Sequence, residues 1–201
     1  MSDAVPADDI APTLSLVVPV YNEAANIEPF LARAKAALGA LGLRWEIVFV
    51  DDGSRDASLL AMLTAREREP RIKGSGLSRN FGKEVALSAG LDHARGEAVV
   101  PIDADLQHPP ELLGELIASW RAGNDMVVAV RRNPPRDGAM RRLASALFYR
   151  MFRRVSTLEL PPGAGDYRLL SAPVVRALRN LPERSRFMKG LYAWVGFRFA
   201  T

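Results

Sequence analysis

Four short apolar runs separated by helical patterns constrain the fold of this 201-residue chain more than any other feature. They are rich in β-branched residues and bounded by turn residues, and their apolar character is continuous, which is typical of strands buried on both faces. The runs are LSLVVPV (14–20), WEIVFV (45–50), EAVVPI (97–102) and DMVVAV (125–130), with RIKGSGL (71–77) as a weaker fifth. Strands and helices that alternate in this way predict an α/β fold with a mainly parallel central sheet covered by helices.

The helices between these strands are predicted from apolar residues at helical spacing. Residues 27–38 carry the first such pattern. The second follows Asp56, a candidate N-cap, and consists of Leu59, Leu60 and Leu63. Residues 81–94 and 110–121 complete the alternation.

Composition limits the class of protein. The chain has no cysteine, which excludes disulfides and thiolate metal sites. Residues 1–12 are acidic and contain proline, so we expect a disordered tail followed by a single domain over 13–201. The tail lacks the layout of a signal peptide, and no run of about 18 apolar residues predicts a membrane span.

A basic block follows the fourth apolar run. Between Arg131 and Arg154 there are eight arginines and one acid, in a chain whose net charge is +4. Such a block indicates an anionic partner, namely phosphate, a membrane surface or nucleic acid. Residues 139–155 set an apolar stripe against arginines, which suits an amphipathic helix in an anionic membrane interface or, equally, a core helix with a solvated face. We recognise no nucleic-acid-binding module, so we expect no nucleic-acid partner.

Polar clusters follow three of the predicted strands directly. They are PVYNE (19–23), DDGS (51–54) and DADLQ (103–107). Ligands of parallel α/β sheets bind at the carboxyl ends of the strands, so we expect the three clusters to converge on one crevice.

The DADLQ cluster has the chemistry of a divalent-metal site. Asp103 and Asp105 are two residues apart, so in an extended segment their carboxylates face the same side, about 6–7 Å apart, and repel each other. A hard cation relieves that repulsion, and Mg²⁺ or Mn²⁺ prefers oxygen ligands such as these and Gln107. So few protein ligands would leave coordination positions open for substrate phosphates. The alternative is that both acids cap a helix that begins near Pro110.

Other enzyme classes lack support in the sequence. The chain has no Walker glycine–lysine loop and no G-x-G-x-x-G after any predicted strand, which argues against kinase-like and dinucleotide-dependent activities. It has no G-x-S-x-G and two histidines, His93 and His108, which argues against a Ser-His-Asp hydrolase.

Five segments together resemble the inverting family-2 glycosyltransferases. They are VVPVYNE, DDGSRD (51–56), LSRNFGKEVALSAGLDHARG (77–96), PIDADLQHPPE and GDYRLL, and the resemblance extends over about residues 13–200. It is strongest to the bacterial polyprenyl-phosphate glycosyltransferases, relatives of dolichol-phosphate mannose synthase. The resemblance implies a GT-A fold and metal-dependent transfer of a hexose, with inversion, from a nucleotide-sugar donor to a membrane polyprenyl phosphate. It favours a UDP-glucose-like donor, with GDP-mannose second.

The resemblance also implies roles for individual residues. The nucleotide would be held by Pro19, Tyr21, Glu23, Asp51, Asp52, Asp103 and Ala104. The metal on the diphosphate would be held by Asp105 and Gln107. Arg186 and Lys189 match a basic motif of the family that would bind the diphosphate or the acceptor phosphate. Paired arginine donors also suit a phosphate, which makes Arg131, directly after the strand at 125–130, the first candidate for this contact and Arg168 the second. The catalytic residues would be Asp105, Arg131 and Asp166, the last of which would orient the acceptor or act as a base, or else form a salt bridge with Arg168.

Two alternatives to transfer onto a polyprenyl phosphate remain at this point. A family-2 transferase that uses a saccharide or other hydroxyl acceptor would need Asp166 as a true base. A nucleotide-sugar-binding module would bind the donor without turnover. Many members of the resembled family continue past the GFRF stretch (196–199) into transmembrane helices, so we expect this chain to be peripheral at the cytoplasmic face of the membrane. Whether the chain forms a homo-oligomer stays open.

Overall fold

The computed structural model describes residues 11–130, 164–181 and 188–201. Arg131, Arg186, the predicted helix at 139–155 and most of the predicted tail lie outside the described residues. The backbones of Asp166 and Lys189 lie in described secondary structure.

The described elements follow the predicted alternation closely. In chain order they are β1 (Leu14–Val20), α1 (Ala24–Leu41), β2 (Trp45–Asp51), α2 (Ser58–Arg68), β3 (Ile72–Gly76), α3 (Lys83–His93), β4 (Ala98–Pro101), a 3₁₀ turn (Pro110–Leu112), α4 (Leu113–Arg121), β5 (Met126–Val130), β6 (Ala164–Ser171), α5 (Ala172–Arg179), α6 (Met188–Trp194) and β7 (Phe199–Ala200). Among these helices, none is long and apolar enough to cross a membrane.

The strands form one sheet in the order β3-β2-β1-β4-β6-β5-β7. Strands β3, β2, β1 and β4 are parallel, and β7 is parallel to β5. Strand β6 lies antiparallel between β4 and β5. The prediction of a mainly parallel α/β sheet is therefore confirmed. Strand β6 was not predicted, because its apolar content is confined to a few residues after a proline- and glycine-rich stretch.

Helices cover both faces of the sheet. Leu16 and Val18 of β1 belong to a core cluster with residues of α1 and α4. Val17, between them in β1, belongs to a second cluster with residues of α3 and α5. Successive side chains of a strand point to opposite faces, so a strand with a helical layer on each side must be apolar at every position.

Helix α2 forms where predicted but buries a different face. Leu59, Leu60 and Leu63 are 41%, 66% and 41% exposed, whereas Met62 and Ala65 are buried. The spacing of the leucines identified a helix correctly but could not identify the side facing the sheet. At the start of the helix, the hydroxyl of Ser58 accepts the Glu23 N–H at 2.8 Å and donates to Asp56 at 2.5 Å.

Candidate active site

The carboxyl ends of β1, β2 and β4 meet at one edge of the sheet and form a cleft of about 290 Å³. The loop that enters α3 closes one side of it. The cleft is lined by Pro19, Val20, Tyr21, Glu23, Asp52, Asn80, Gly82, Lys83, Asp103, Ala104 and Asp105. The structure thus brings together all three polar clusters, as expected for strand ends of a parallel sheet. Asp51, the last residue of β2, and Gln107, in the DADLQ loop, do not line the cleft.

The carboxylate of Asp52 holds the wall of the cleft together. Its side chain is 2% exposed, and its two oxygens accept the backbone N–H groups of Phe81 at 2.8 Å and Gly82 at 2.9 Å. These bonds attach the loop before α3 to the end of β2. Asp52 therefore shapes the surface on which Asn80, Gly82 and Lys83 lie, a structural part that its predicted nucleotide contact did not include.

The turn after Asp52 requires glycine. Gly53 has φ +70°, and a Cβ built on it would lie 2.4 Å from the carbonyl carbon of Arg79. Asp51 is buried beneath this turn, and its carboxylate accepts the Ser54 N–H at 3.2 Å. The close approach of two backbones explains why a glycine stands between the acids and Ser54.

Hydrogen bonds join the loop after β1 to the loop after β2. Asn22, at φ 54°, donates its backbone N–H to Ser54 Oγ at 2.9 Å, and its side-chain oxygen accepts the Arg55 N–H at 2.8 Å. The Ala24 N–H donates to Asp56 Oδ2 at 3.2 Å. Asp56 was predicted as an N-cap, whereas Asn22 and Ser54 had no predicted part in the motifs YNE and DDGSRD. Their contacts fix the loops that carry Tyr21, Glu23 and Asp52.

The DADLQ loop presents its two acids differently. Asp103 forms an ion pair with Lys83, whose Nζ lies 2.7 Å from Oδ2. Asp105 is exposed, and its Oδ1 accepts the Gln107 N–H at 3.0 Å across a turn in which Leu106 has φ 61°. The 3₁₀ turn at Pro110–Leu112 has no side-chain cap, so the alternative in which both acids cap that helix is wrong. Lys83 was missed, although a glycine and a lysine at the start of a predicted helix could have indicated it.

The oxygen donors of this loop fit a partly open divalent-metal site. Asp105 and Gln107 are both exposed and lie two residues apart in one tight turn beside the cleft. Asp103, by contrast, already has Lys83 as its cationic partner. In the described part of the chain, three or more His, Cys, Asp or Glu side chains nowhere gather as a metal cluster. Carboxylate and amide oxygens without a full cage are what Mg²⁺ accepts when substrate phosphates complete its shell.

Comparison with known proteins identifies the family. The family model described as glycosyl transferase family 2 matches residues 15–179. The chain belongs to glycosyl transferase family 2.

Curated relatives of this family-2 glycosyltransferase include bacterial and phage proteins. An uncharacterized glycosyltransferase of Synechocystis sp. is 48% identical over 185 residues, which is 92% of this chain and 58% of the relative. The bactoprenol glucosyl transferase of Shigella phage SfV is 44% identical over 183 residues, 91% of this chain and 60% of the relative. The chain therefore spans about three fifths of the length of these relatives.

Solved structures show the same fold. A mannosyltransferase from Pyrobaculum calidifontis in complex with GDP-Man and Mn²⁺ matches with a TM-score of 0.64 and 26% identity, over 99% of this chain and 57% of that one. Mannosyl-3-phosphoglycerate synthase from Rubrobacter xylanophilus matches with a TM-score of 0.61 and 21% identity, over 80% of this chain and 53% of that one. The chain thus has the GT-A fold that the family resemblance implied.

In this family-2 glycosyltransferase, an aromatic stack joins the DADLQ loop to β6. The His108 ring stacks on Tyr167 with centroids 5.2 Å apart, and His108 Nδ1 lies 3.8 Å from Asp103 Oδ2. Tyr167 donates its hydroxyl to the Pro109 carbonyl at 3.1 Å, and burial raises the pKa of this phenol above its usual value. Tyr167 therefore stays protonated as a donor at neutral pH, and it fixes β6, which carries Asp166, against the cleft loop.

Among the residues predicted to bind phosphate, Arg168 is one whose side-chain contacts the structure describes. Its side chain is 4% exposed, and its guanidinium lies 4.1 Å from the centre of the Tyr192 ring in α6. The helix that contains Lys189 thus packs against β6. Arg168 does not line the cleft of the three polar clusters.

Proposed function

We propose that this chain transfers a hexose from a nucleotide-sugar donor to a membrane polyprenyl phosphate, with inversion at the anomeric carbon. The single observation that carries the proposal is the cleft in which PVYNE, DDGS and DADLQ meet, in a family-2 chain whose relatives include bactoprenol glucosyl transferases. The relatives' names favour a glucosyl group, and the family resemblance favours UDP as the nucleotide that carries it.

The nucleotide occupies the cleft in this proposal. Tyr21 and Glu23 approach it from the end of β1, and Asp52 anchors the opposite wall through the loop at Phe81 and Gly82. The positive end of the α3 dipole, at Lys83, lies in the same wall and favours an anionic ligand. The pairing of Lys83 with Asp103 supports assigning Asp103 to the nucleotide pocket and Asp105 with Gln107 to the metal.

The transfer exchanges one bond for another at the anomeric carbon. An oxygen of the acceptor phosphate forms the new bond as the bond to the nucleoside diphosphate breaks, and attack from the opposite face inverts the configuration. The acceptor phosphate is already anionic near neutral pH, so a strong general base is less necessary than for a hydroxyl. A divalent ion bound by Asp105 and Gln107 would supply positive charge for the leaving diphosphate.

The acceptor side of the proposal rests on arginines and one acid. Arginine suits a phosphate because its fork of N–H donors matches two phosphate oxygens. We assign this part to Arg131, Arg168, Arg186 and Lys189. Asp166, on β6, orients the acceptor. The membrane that holds the acceptor sets the location of the enzyme, which we propose to be the cytoplasmic face of that membrane.

Titration calorimetry tests the donor site. UDP and GDP are titrated with and without Mg²⁺ or Mn²⁺ into the wild type, into Asp105→Ala, and into Asp92→Ala as a matched control on the exposed surface of α3. We expect UDP to bind more tightly with metal, Asp105→Ala to lose that metal-dependent gain, and Asp92→Ala to keep it. Equal metal dependence in all three proteins would remove Asp105 from the metal site.

Donor consumption tests the reaction itself. UDP release from UDP-glucose is measured with undecaprenyl phosphate in detergent and, separately, with a soluble saccharide acceptor. The proposal expects release with the lipid phosphate alone. Release with the saccharide alone would establish the hydroxyl-acceptor alternative, and tight UDP-glucose binding with no release under either condition would establish a donor-binding module.

A further inference from the structure

A second concave site lies at the edge of the sheet opposite the cleft. It is a pocket of about 500 Å³ formed where β2 and β3 begin and where α3 leads into β4. Strand β2 runs for 7 residues from Trp45 at this edge to Asp51 at the cleft, so its length separates the two sites by about 20 Å. The basic pocket, as we call it, is lined mainly by Arg44, Trp45, Glu46, Arg71, Lys73 and Arg95.

Glu46, the carboxylate of the basic pocket, is already fully engaged. It is 3% exposed; Oε1 accepts the Ser15 hydroxyl and the Arg95 N–H, both at 2.6 Å, and Oε2 accepts Lys73 Nζ at 2.5 Å. Burial alone raises the pKa of Glu46, but the hydrogen bonds from Lys73, Ser15 and the Arg95 N–H together hold it below its usual value. Glu46 is therefore ionised at neutral pH and balances the charge of Lys73.

The positive charge of Arg71 is likewise balanced by a carboxylate, that of Glu69. Its guanidinium donates to both carboxylate oxygens of Glu69, at 2.8 and 2.7 Å, and its Cζ lies over the Trp45 ring, 3.8 Å from the ring centre. Because the indole below is 6% exposed, this stack forms one rigid wall of the basic pocket.

Two further cations at the pocket are not balanced by a hydrogen-bonded carboxylate in the described ranges. Arg44 donates Nε to the neutral carbonyl of Ala11 at 3.2 Å. Arg95 is 55% exposed, and its Nε lies 3.9 Å from Glu46 Oε2, beyond hydrogen-bond distance. A concave surface with positive charge in excess of its carboxylates raises the local concentration of anions.

We propose that the basic pocket binds a phosphate-bearing anion, through Arg44 and Arg95 and against the wall formed by Arg71 on Trp45. Guanidinium groups bind phosphate oxygens through paired N–H donors, and two of them approach the pocket from different loops. The anion is a soluble phosphate compound or the phosphate of a lipid headgroup, which share this chemistry. The site is separate from the donor cleft and independent of the proposed transferase reaction.

Pyrophosphate is the probe, used with a chelator so that no divalent metal assists binding at the cleft. Calorimetry compares the wild type with the double variant Arg44→Gln/Arg95→Gln. The matched control is Arg66→Gln/Arg121→Gln, which removes the same charge from exposed helix positions away from the pocket. Lys83→Gln reports on the cleft. All four side chains of the two double variants are exposed, so we expect both proteins to fold.

We expect the pocket variant to bind pyrophosphate about tenfold more weakly, or worse, while the control and Lys83→Gln bind it like the wild type. Equal weakening in both double variants would mean a general charge effect and would overturn the proposal. Loss in Lys83→Gln alone would place the anion in the donor cleft, and absence of binding to the wild type would overturn the proposal directly.

A vesicle arm distinguishes the two sources of phosphate. Co-sedimentation with phosphatidylglycerol vesicles, compared with phosphatidylcholine vesicles, is measured for the wild type, the pocket variant and the charge-matched control. A deficit specific to the pocket variant identifies a lipid headgroup as the ligand. Identical co-sedimentation of the two variants, together with a selective loss of pyrophosphate binding, identifies a soluble phosphate compound.

Discussion

The carboxylate of Asp52 offers the sharpest test of how this fold builds its cleft. It is buried and accepts two backbone N–H groups, from Phe81 at 2.8 Å and Gly82 at 2.9 Å. Asp52→Asn keeps the size of the side chain but replaces one acceptor oxygen with an NH₂ group. That group must then face one of the two N–H donors, so one charge-assisted bond is lost and a backbone donor is left without an acceptor.

The expected cost follows from these contacts. A hydrogen bond to a charged group contributes about 1.5–3 kcal/mol, and an unsatisfied buried donor costs about 1–3 kcal/mol. Because the loop can relax towards water and recover part of this, we expect Asp52→Asn to lower the free energy of unfolding by roughly 2–4 kcal/mol. The loop carries Asn80, Gly82 and Lys83, so UDP affinity should fall as well.

Urea unfolding followed by far-UV circular dichroism measures the first effect, and calorimetry with UDP measures the second. Asp92→Asn, on the exposed side of α3, is the matched control and should change the free energy of unfolding by less than about 0.5 kcal/mol. If Asp52→Asn is no less stable than Asp92→Asn, the carboxylate does not hold the loop. If stability falls but UDP binding is unchanged, the loop does not form part of the nucleotide site.

Three further predictions test the packing, the electrostatics and the surface. A Cβ on Gly90 would lie 2.3 Å from Val17 Cγ1, so Gly90→Ala should lower the free energy of unfolding by about 1–3 kcal/mol. A Cβ on Gly39 would meet nothing within 4 Å, so Gly39→Ala, the control, should raise the free energy of unfolding by up to about 1 kcal/mol. If Gly90→Ala is as stable as the wild type, α3 does not pack closely on β1. Because the folded-state pKa of Glu46 is lowered, its contribution is complete above the unfolded-state pKa near 4.5 and is lost as the pH falls through the folded-state value. Glu46→Gln should therefore flatten the acid side of a plot of urea midpoint against pH, and an unchanged slope would show that Glu46 gains nothing from its partners. Leu60 is 66% exposed, so Leu60→Gln should leave the urea midpoint almost unchanged, and a large loss would mean that this face of α2 is covered.

Much of the fold was predictable because its signals are local. An uninterrupted apolar run such as WEIVFV requires a strand with cover on both sides, and β2 has it. Strand β6 could not be predicted in the same way, since its place between β4 and β5 depends on antiparallel pairing with strands far away in the chain. The buried side of α2 also escaped prediction, because leucines at helical spacing do not reveal which side meets the sheet.

The candidate site also has features that the sequence predicted and features that it did not. That PVYNE, DDGS and DADLQ would lie together followed from parallel strands whose carboxyl ends share an edge. The ion pair between Lys83 and Asp103 did not, because it joins the start of α3 to the end of β4. Roles for Asp105, Gln107 and Asp166, and for the arginines, came from family resemblance and from the chemistry of metal and phosphate binding, and they stay predictions.

By itself the sequence determined the alternation of strands and helices and the polar residues at the strand ends. These features follow from the periodicity of apolar residues and from backbone preferences, both of which depend on residues close together in the sequence. Tertiary structure alone decided that the Asp52 carboxylate would bind a loop some 30 residues away and that Arg44 and Arg95 would meet around Glu46. Such meetings depend on which strands become neighbours in the sheet, and that order minimises exposed apolar surface over the whole chain rather than along any one segment.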